Sequence, residues 1–383
     1  MRTAITANPW RMGAVCAVAI FCILLGIKLS LPGGWTRLGG FGEHFSERYL
    51  GVVHEMDAYI KPDSGGYDGQ FYAQLATDPT LQESAFDQAI DEPSYRARRI
   101  LLPWIAHVLA LGDPQRSIRI YCSLNVFCWF AFAALIWRWL EVRDARTFAR
   151  WMACIFSMGV MDSVKYSLTD LPSILLILTL IRYATHRPLV GGVGVVASVF
   201  LKETNILAIT AMPELKGQTG KSWRSLWPWL LSTAMSMVLF WLWYQYIHLR
   251  FEPFHGVRGN FDWPLVSMLR NGFAGIQELV SGNWDDRYLF RTLAIIGFAV
   301  QGIYLLTRAR DLELPLVRLG WTFGALFLVL GDLVWWGYWA VCRVALPMTI
   351  AFNLLYAPKG KQTFWWGLVL ANLTVIHALY RFL

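Results

Sequence analysis

The segment Gly65-Gly66-Tyr67-Asp68-Gly69-Gln70-Phe71-Tyr72 carries the densest set of groups able to do chemistry. A lone carboxylate held in such a loop suits a general base that takes the proton of an attacking hydroxyl. Glycines on both sides of Asp68 let the backbone approach a substrate closely. Tyr67 and Tyr72 offer ring faces that either stack on a sugar ring or pack at the interface, and Gln70 adds a hydrogen-bonding group. The same residues also read as a tight turn, with Asp68 capping a helix that starts near Gln70. Asp78-Pro79 follows a few residues later.

Basic residues gather close by. Tyr95-Arg96-Ala97-Arg98-Arg99-Ile100-Leu101-Leu102-Pro103 places Arg96, Arg98 and Arg99 just ahead of an apolar piece. Guanidinium groups bind phosphate in bidentate fashion, and a lipid phosphate lies at the membrane interface. Snorkelling toward headgroups would account for some of the three. Further on, Lys202-Glu203-Thr204-Asn205 is a charged break inside an apolar stretch. It reads either as a phosphate anchor (Lys202) with an orienting carboxylate (Glu203), or as a pair that neutralises itself. Thr169-Asp170-Leu171-Pro172 opens a helix, and Asp170 either caps it or faces the same cavity as Asp68. Arg343, in Trp339-Ala340-Val341-Cys342-Arg343-Val344-Ala345-Leu346-Pro347, would pair with a carboxylate or a substrate phosphate, or snorkel at a helix end.

Other patterns fail on their own chemistry. Gly217-Gln218-Thr219-Gly220-Lys221-Ser222 ends like a phosphate-binding loop, but Leu215 stands where the first glycine is required and no strand precedes it. Gly191-Gly192-Val193-Gly194 reads as helix packing. His54-Glu55-Met56-Asp57 lacks the second histidine of a zincin helix. The six cysteines lie in apolar stretches without a CxxC pair, so packed, reduced thiols are expected.

The elements that must position these groups are membrane helices. Of 383 residues, 56% are hydrophobic, 15% aromatic and only 16% charged, against about 25% charged in soluble domains. That excludes a disordered chain and a disulfide-stapled domain, and continuous apolar runs argue against a β-barrel. A spanning helix needs about 20 apolar residues. The chain divides into a first span at 12–31, read as an anchor rather than a cleaved signal, and a polar outer loop at 32–117. Spans two to seven follow over 118–248, then an outer loop at 249–288 and spans eight to eleven over 289–383. The expectation is an all-α polytopic bundle of about eleven spans, several of them short. Ile100 to Gly112 is too short to cross and reads as interfacial or re-entrant. Lys202 marks an elbow between two half-length helices within 189–214.

The net charge of +8 fits this topology better than a nucleic-acid partner. With the N-terminus inside and Arg2 and Arg11 ahead of the first span, every short inner loop is basic. These loops carry Arg138, Arg143, Arg146 and Arg150, then Arg182 and Arg187, then Lys216, Lys221 and Arg224. Arg308, Arg310 and Arg318 come next, and finally Lys359 and Lys361. The first loop, Lys165 to Asp170, Lys202 to Asn205, Asp332 and Arg343 then fall at the outer face, where ionisable groups near membrane depth mark one cavity.

This arrangement resembles the GT-C superfamily of integral-membrane glycosyltransferases. It is most similar to a bacterial branch with a Tyr-Asp-Gly-Gln-Phe-Tyr segment, an Asp-Pro after it, and a Tyr-Arg-x-x-Arg-Ile-Leu-x-Pro segment. Here these are Tyr67 to Tyr72, Asp78-Pro79 and Tyr95 to Pro103. Thr169-Asp170, Lys202 to Asn205 and Arg343 with Pro347 fall in the expected order, so the likeness spans residues 12–356. The resemblance implies a polyprenyl-phosphate-linked sugar donor, a saccharide, lipid or protein acceptor, and a role in building cell-envelope polysaccharide. It implies Asp68 as catalytic base of an inverting displacement, with Arg96, Arg98, Arg99, Lys202 and Arg343 as phosphate contacts. The site would face the periplasmic side of a bacterial inner membrane. The first loop lacks a paired-acid signature, which favours a metal-independent lipid-phosphate leaving group but leaves a divalent metal open, and no other cofactor is indicated. No soluble domain is expected after the last span, which would leave acceptor recognition to the loops. The loop Arg250 to Tyr288, with Trp263, Trp284, Asp285 and Asp286, is a candidate acceptor cleft or an amphipathic lid. The alternative function is a transporter or flippase of a lipid-linked saccharide.

Overall fold

Apolar segments in a bilayer have no water to satisfy their backbone, so they must form helices. A computed structural model describes residues 9–184, 187–212, 227–253, 256 and 259–382. Arg2, Lys216, Lys221, Arg224 and the run Gly217 to Ser222 lie outside the described residues. Among the described residues the protein is all-helical, with two isolated β-bridges, Gly42–Lys61 and Phe261–Leu330.

Among the described residues four helices are long and apolar enough to cross a membrane: Pro9–Leu29, Pro114–Leu140, Trp227–His248 and Asp286–Thr307. Two bent pairs raise the number to six if each is one span. Tyr338–Val344 and Leu346–Leu355 meet at 61°, and Lys361–Ala371 and Val375–Phe382 at 42°. The remaining apolar runs form shorter pieces. The run 151–169 divides into Ala145–Ile155 and Met158–Lys165, and 171–184 is the 14-residue helix Asp170–Tyr183. The helix Pro188–Leu201 stops at Lys202, whose backbone is extended, and Glu203–Ala211 continues as a 3-10 turn. The expected elbow is therefore present.

Helix Pro114–Leu140 forms the centre of the packing. Phe21 stacks on Trp129 at 3.7 Å, and the indole N–H of Trp129 donates to the Ile155 carbonyl at 2.9 Å. Helix Trp227–His248 is the opposite case. Only 11% of its most apolar window is buried, and Leu231, Met237, Val238 and Trp241 point away from the protein. That face suits lipid, which solvates it at no cost. Its inner side takes the glycine stretch at 191–194. A methyl group on Gly191 would fall 2.4 Å from the Trp229 ring, and one on Gly192 would fall 2.3 Å from the Ser232 hydroxyl. Close helix packing is thus the role of those glycines.

The described basic loops share one end of the bundle. Trp10 packs on Phe148 and Arg182 lies over Trp139. Arg150 donates to the carbonyls of Asn353 and Leu354, and Arg318 donates to that of Thr210. Tyr304 donates to the Leu355 carbonyl, and Trp321 to that of Ala309. At the far end Lys28 donates to the Phe382 carbonyl at 3.0 Å. The charged groups of the first loop gather at this far end.

The first loop folds into short helices, among them Gly69–Leu75, Pro93–Arg96 and Leu101–Leu109. Leu101–Leu109 buries Leu102, Pro103 and Ala106 and exposes Ile105, Val108 and Leu109, as an interfacial helix does. The second loop contains the helix Val266–Val280. It packs through Ser267, Gly272 and Gly275 and exposes Phe273, Ile276 and Val280. The six cysteines are free, but Cys16 and Cys22 are exposed rather than packed.

Candidate functional site

Asp68 stands at the N-terminus of helix Gly69–Leu75, the place of a capping residue, yet its side chain makes no capping hydrogen bond. Its carboxylate is taken by two arginines instead. Oδ1 lies 3.0 Å from Arg96 and Oδ2 lies 3.2 Å from Arg343. Burial pushes the Asp68 carboxyl up, but the Arg96 and Arg343 charges outweigh it and hold the group at about 2.

Each arginine is shared. Arg96 also clasps Asp91 through Nε at 2.9 Å and Nη2 at 2.7 Å, with its guanidinium 5.0 Å from the Phe71 ring centre. Arg343 reaches Asp170 through Nε at 3.0 Å and donates to the Tyr67 hydroxyl at 2.6 Å. Asp170 in turn holds Lys202 at 2.5 Å. Behind this chain Arg99 forms a two-pronged pair with Glu203 at 2.9 and 2.7 Å. It also donates to the hydroxyls of Tyr72 at 3.0 Å and Tyr95 at 2.8 Å. Four carboxylates therefore face four cationic groups, drawn from the first loop, the helix Asp170–Tyr183, the elbow and the helix before the 61° bend.

The expected residues separate into two layers. Tyr67, Asp68, Gln70, Tyr95, Arg96 and Arg343 line a cavity of about 570 Å³, walled opposite by Trp336 and Trp339. Tyr72, Arg99, Asp170, Lys202 and Glu203 form the ionic support described above and are not in that lining. The Arg98 guanidinium lies near the rings of Tyr95 and Tyr244, at 5.6 and 5.0 Å. Gln70 is a scaffold: its amide accepts from the backbone of Gly42 and the hydroxyl of Tyr49, and donates to the Gly65 carbonyl. Asn205 ties the elbow back by donating to the Ser198 carbonyl at 2.8 Å. Asp78 serves a local turn, accepting from the backbone N–H groups of Thr80, Gln82 and Glu83. Asp332 pairs with Arg270 and Asn271 and is not in the lining of the Asp68 cavity. Of the proposed acceptor cleft, Trp263 and Trp284 are exposed and line none of the described cavities.

The glycines beside Asp68 serve the protein's own backbone. Gly66 adopts φ +70°, and a methyl group on Gly69 would fall 1.8 Å from the Tyr166 carbonyl oxygen and 2.8 Å from that of Gly39. Helix Gly69–Leu75 is thereby seated against the turn at 166, which aims Asp68 at Arg343. Both obstacles are backbone atoms, so Gly69→Ala is expected to cost about 1–3 kcal/mol or more. It should lower thermal stability in detergent well beyond the effect of Gly65→Ala, where the nearest atom is 3.8 Å away.

Compared with known protein families, characterised proteins and solved structures, the chain matches none.

Several members of the site carried little sequence signal. Asp91, the second partner of Arg96, is an ordinary acid before a helix-opening proline. Asp162 lies within the apolar run Met158 to Val164, where any carboxylate is costly, and that burial alone marks it. It pairs with Arg381 at 3.3 Å. Tyr166 supports the site by stacking on Tyr67 at 4.5 Å. Among the described residues no group of three or more His, Cys, Asp or Glu is placed to hold a metal ion.

Proposed function

We propose that this chain is an integral-membrane glycosyltransferase of the GT-C type, built on about eleven apolar segments and facing the outer side of a bacterial inner membrane. It transfers a sugar from a polyprenyl-phosphate-linked donor to an acceptor hydroxyl, with inversion. The observation that carries the reading is Asp68, which lines a 570 Å³ cavity together with Asp91 and Glu92 and is the one of the three gripped by arginines from two separate elements.

In the displacement, the acceptor oxygen bonds to the anomeric carbon while the bond from that carbon to the phosphate oxygen breaks. The acceptor proton passes to Asp68, and the electron pair leaves with the polyprenyl phosphate, stabilised by Arg96 and Arg343. At about 2, resting Asp68 is a poor base near neutral pH. A donor phosphate competes with Asp68 for the same two guanidinium groups. Once Arg96 and Arg343 turn to the phosphate, less positive charge opposes burial, chiefly that of Arg99, and the basicity of Asp68 rises. Arg96 and Arg343 keep Asp91 and Asp170 as partners during that exchange.

A neighbouring apolar cavity of about 430 Å³, lined by Met268, Phe298, Trp321 and Phe327 among others, supports a lipid-linked donor. Leu328 lines this cavity and Leu333 lines the charged one, so a single short segment borders both. The purified full-length protein, given a panel of polyprenyl-phosphate sugars and mixed acceptors, is expected to consume donor and release polyprenyl phosphate. No turnover with any donor would remove the assignment.

The flippase reading draws on a different observation. Lys202 sits at an elbow and Arg343 just ahead of a 61° bend, and discontinuous helices carrying charge are a feature of transporters. Movement of labelled donor across proteoliposomes without chemical turnover would favour it over transfer.

A further inference from the structure

Glycosyl transfer needs two substrates to converge, and the charged cavity has a neighbour. A second cavity of about 290 Å³ lies beyond Trp339, whose residue lines both spaces. Its walls include Asp285, Asp286, Arg287, His377, Tyr380 and Arg381. It is at the small end of ligand pockets, which span ~300–1,000 Å³.

The groups around it are set by firm contacts. Arg381 is anchored on Asp162 at 3.3 Å and lies 4.4 Å from the Trp339 ring centre. Arg287 lies 4.5 Å from the ring centre of Trp336, in the wall of the charged cavity. Tyr338 and the Nε2 of His377 share a hydrogen bond at 2.5 Å. Among the described residues the other ring nitrogen of His377 has no hydrogen-bond partner, although the residue is only 5% exposed. A buried polar atom of that kind calls for a partner that the described residues do not supply.

The lining is rich in hydrogen-bonding groups but balanced in charge, with two carboxylates and two guanidinium groups. Asp162 behind Arg381 weakens any preference for an anion. Carboxylates that accept from hydroxyls, guanidinium groups that donate to them, and exposed aromatic faces suit a neutral polyhydroxylated ring better than phosphate or an acyl chain.

We propose that this cavity is a saccharide subsite, holding the sugar unit of the acceptor next to the one that presents its hydroxyl to Asp68. The acceptor is then a saccharide, rather than a simple lipid or a protein. The proposal rests on the transferase reading of the Asp68 cavity.

The test measures binding without donor. Saturation-transfer NMR on the full-length protein in detergent would use methyl glycosides of glucose, mannose, galactose and N-acetylglucosamine as probes. At least one glycoside is expected to give a protein-dependent signal. Tyr380→Ala and Asp286→Asn, both at exposed positions, should each reduce it at least fivefold. Excess inorganic phosphate should leave it unchanged. No signal with any glycoside, a signal untouched by both substitutions, or displacement by phosphate each overturns the subsite. Donor turnover with no glycoside binding removes the subsite and leaves the transferase reading standing. Glycoside binding that depends on Tyr380 and Asp286, with no turnover of any donor, does the reverse.

Discussion

Asp68→Asn is expected to lower kcat for sugar transfer by about 10²–10⁴-fold, the usual contribution of a general base, without unfolding the protein. The asparagine keeps the shape of the side chain, and both arginines retain a second carboxylate, Asp91 for Arg96 and Asp170 for Arg343. Donor affinity should move the other way. In the native protein a donor phosphate must displace Asp68 from two guanidinium groups, and in the variant that competition is gone. KM for donor, or Kd measured with a non-transferable phosphonate analogue, should therefore fall while kcat collapses. A purely structural Asp68 would give loss of stability and weaker donor binding together. Full activity in Asp68→Asn would end the assignment of the base.

The same ion pairs set an acid limit. The Asp68 carboxyl is held at about 2, below its ordinary 3.8, so its pairing stabilises the fold fully above pH ~4 and is lost as pH falls through about 2. Asp68→Asn should flatten that part of an acid-unfolding curve.

Local features of the site were legible because their members are neighbours in sequence. Tyr67, Asp68, Arg96 and Arg99 lie within one loop and announce themselves by type and spacing. The long-range closures were not legible. Arg99 finds Glu203 across 104 positions and Arg343 finds Asp170 across 173, distances at which residue type says only that a partner is needed. Both alternatives written for Asp170, a cap or a cavity residue, gave way to a third: a buried bridge between Lys202 and Arg343. Helix continuity was legible only in part. Hydropathy averages over a window, so it does not see Pro347 opening a new helix at a 61° bend, or the break at Phe156-Ser157. The elbow at Lys202 was visible because charge, unlike bending, is written in residue type.

That bridge carries the second large effect. The Asp170 side chain is 2% exposed and that of Lys202 is 9%, so neither is compensated by water. Asp170→Asn leaves the Lys202 ammonium buried without its carboxylate, and removing one partner of a buried pair costs about 3–5 kcal/mol. The variant is expected to lose most of its monodisperse fraction after heating, at temperatures the native protein survives. Replacing both groups is a milder change, because well-packed apolar residues often match a buried pair in stability. Asp170→Leu combined with Lys202→Met should therefore recover much of the lost stability. Activity should not return with it. Without Asp170, Arg343 loses the contact that fixes its Nε and keeps only Asp68 and the Tyr67 hydroxyl. Its guanidinium is then no longer held at the angle that serves Asp68 and an incoming phosphate in turn. A stable but inactive double variant marks Asp170 as a positioning residue, whereas a stable and active one would reduce the bridge to a structural pair.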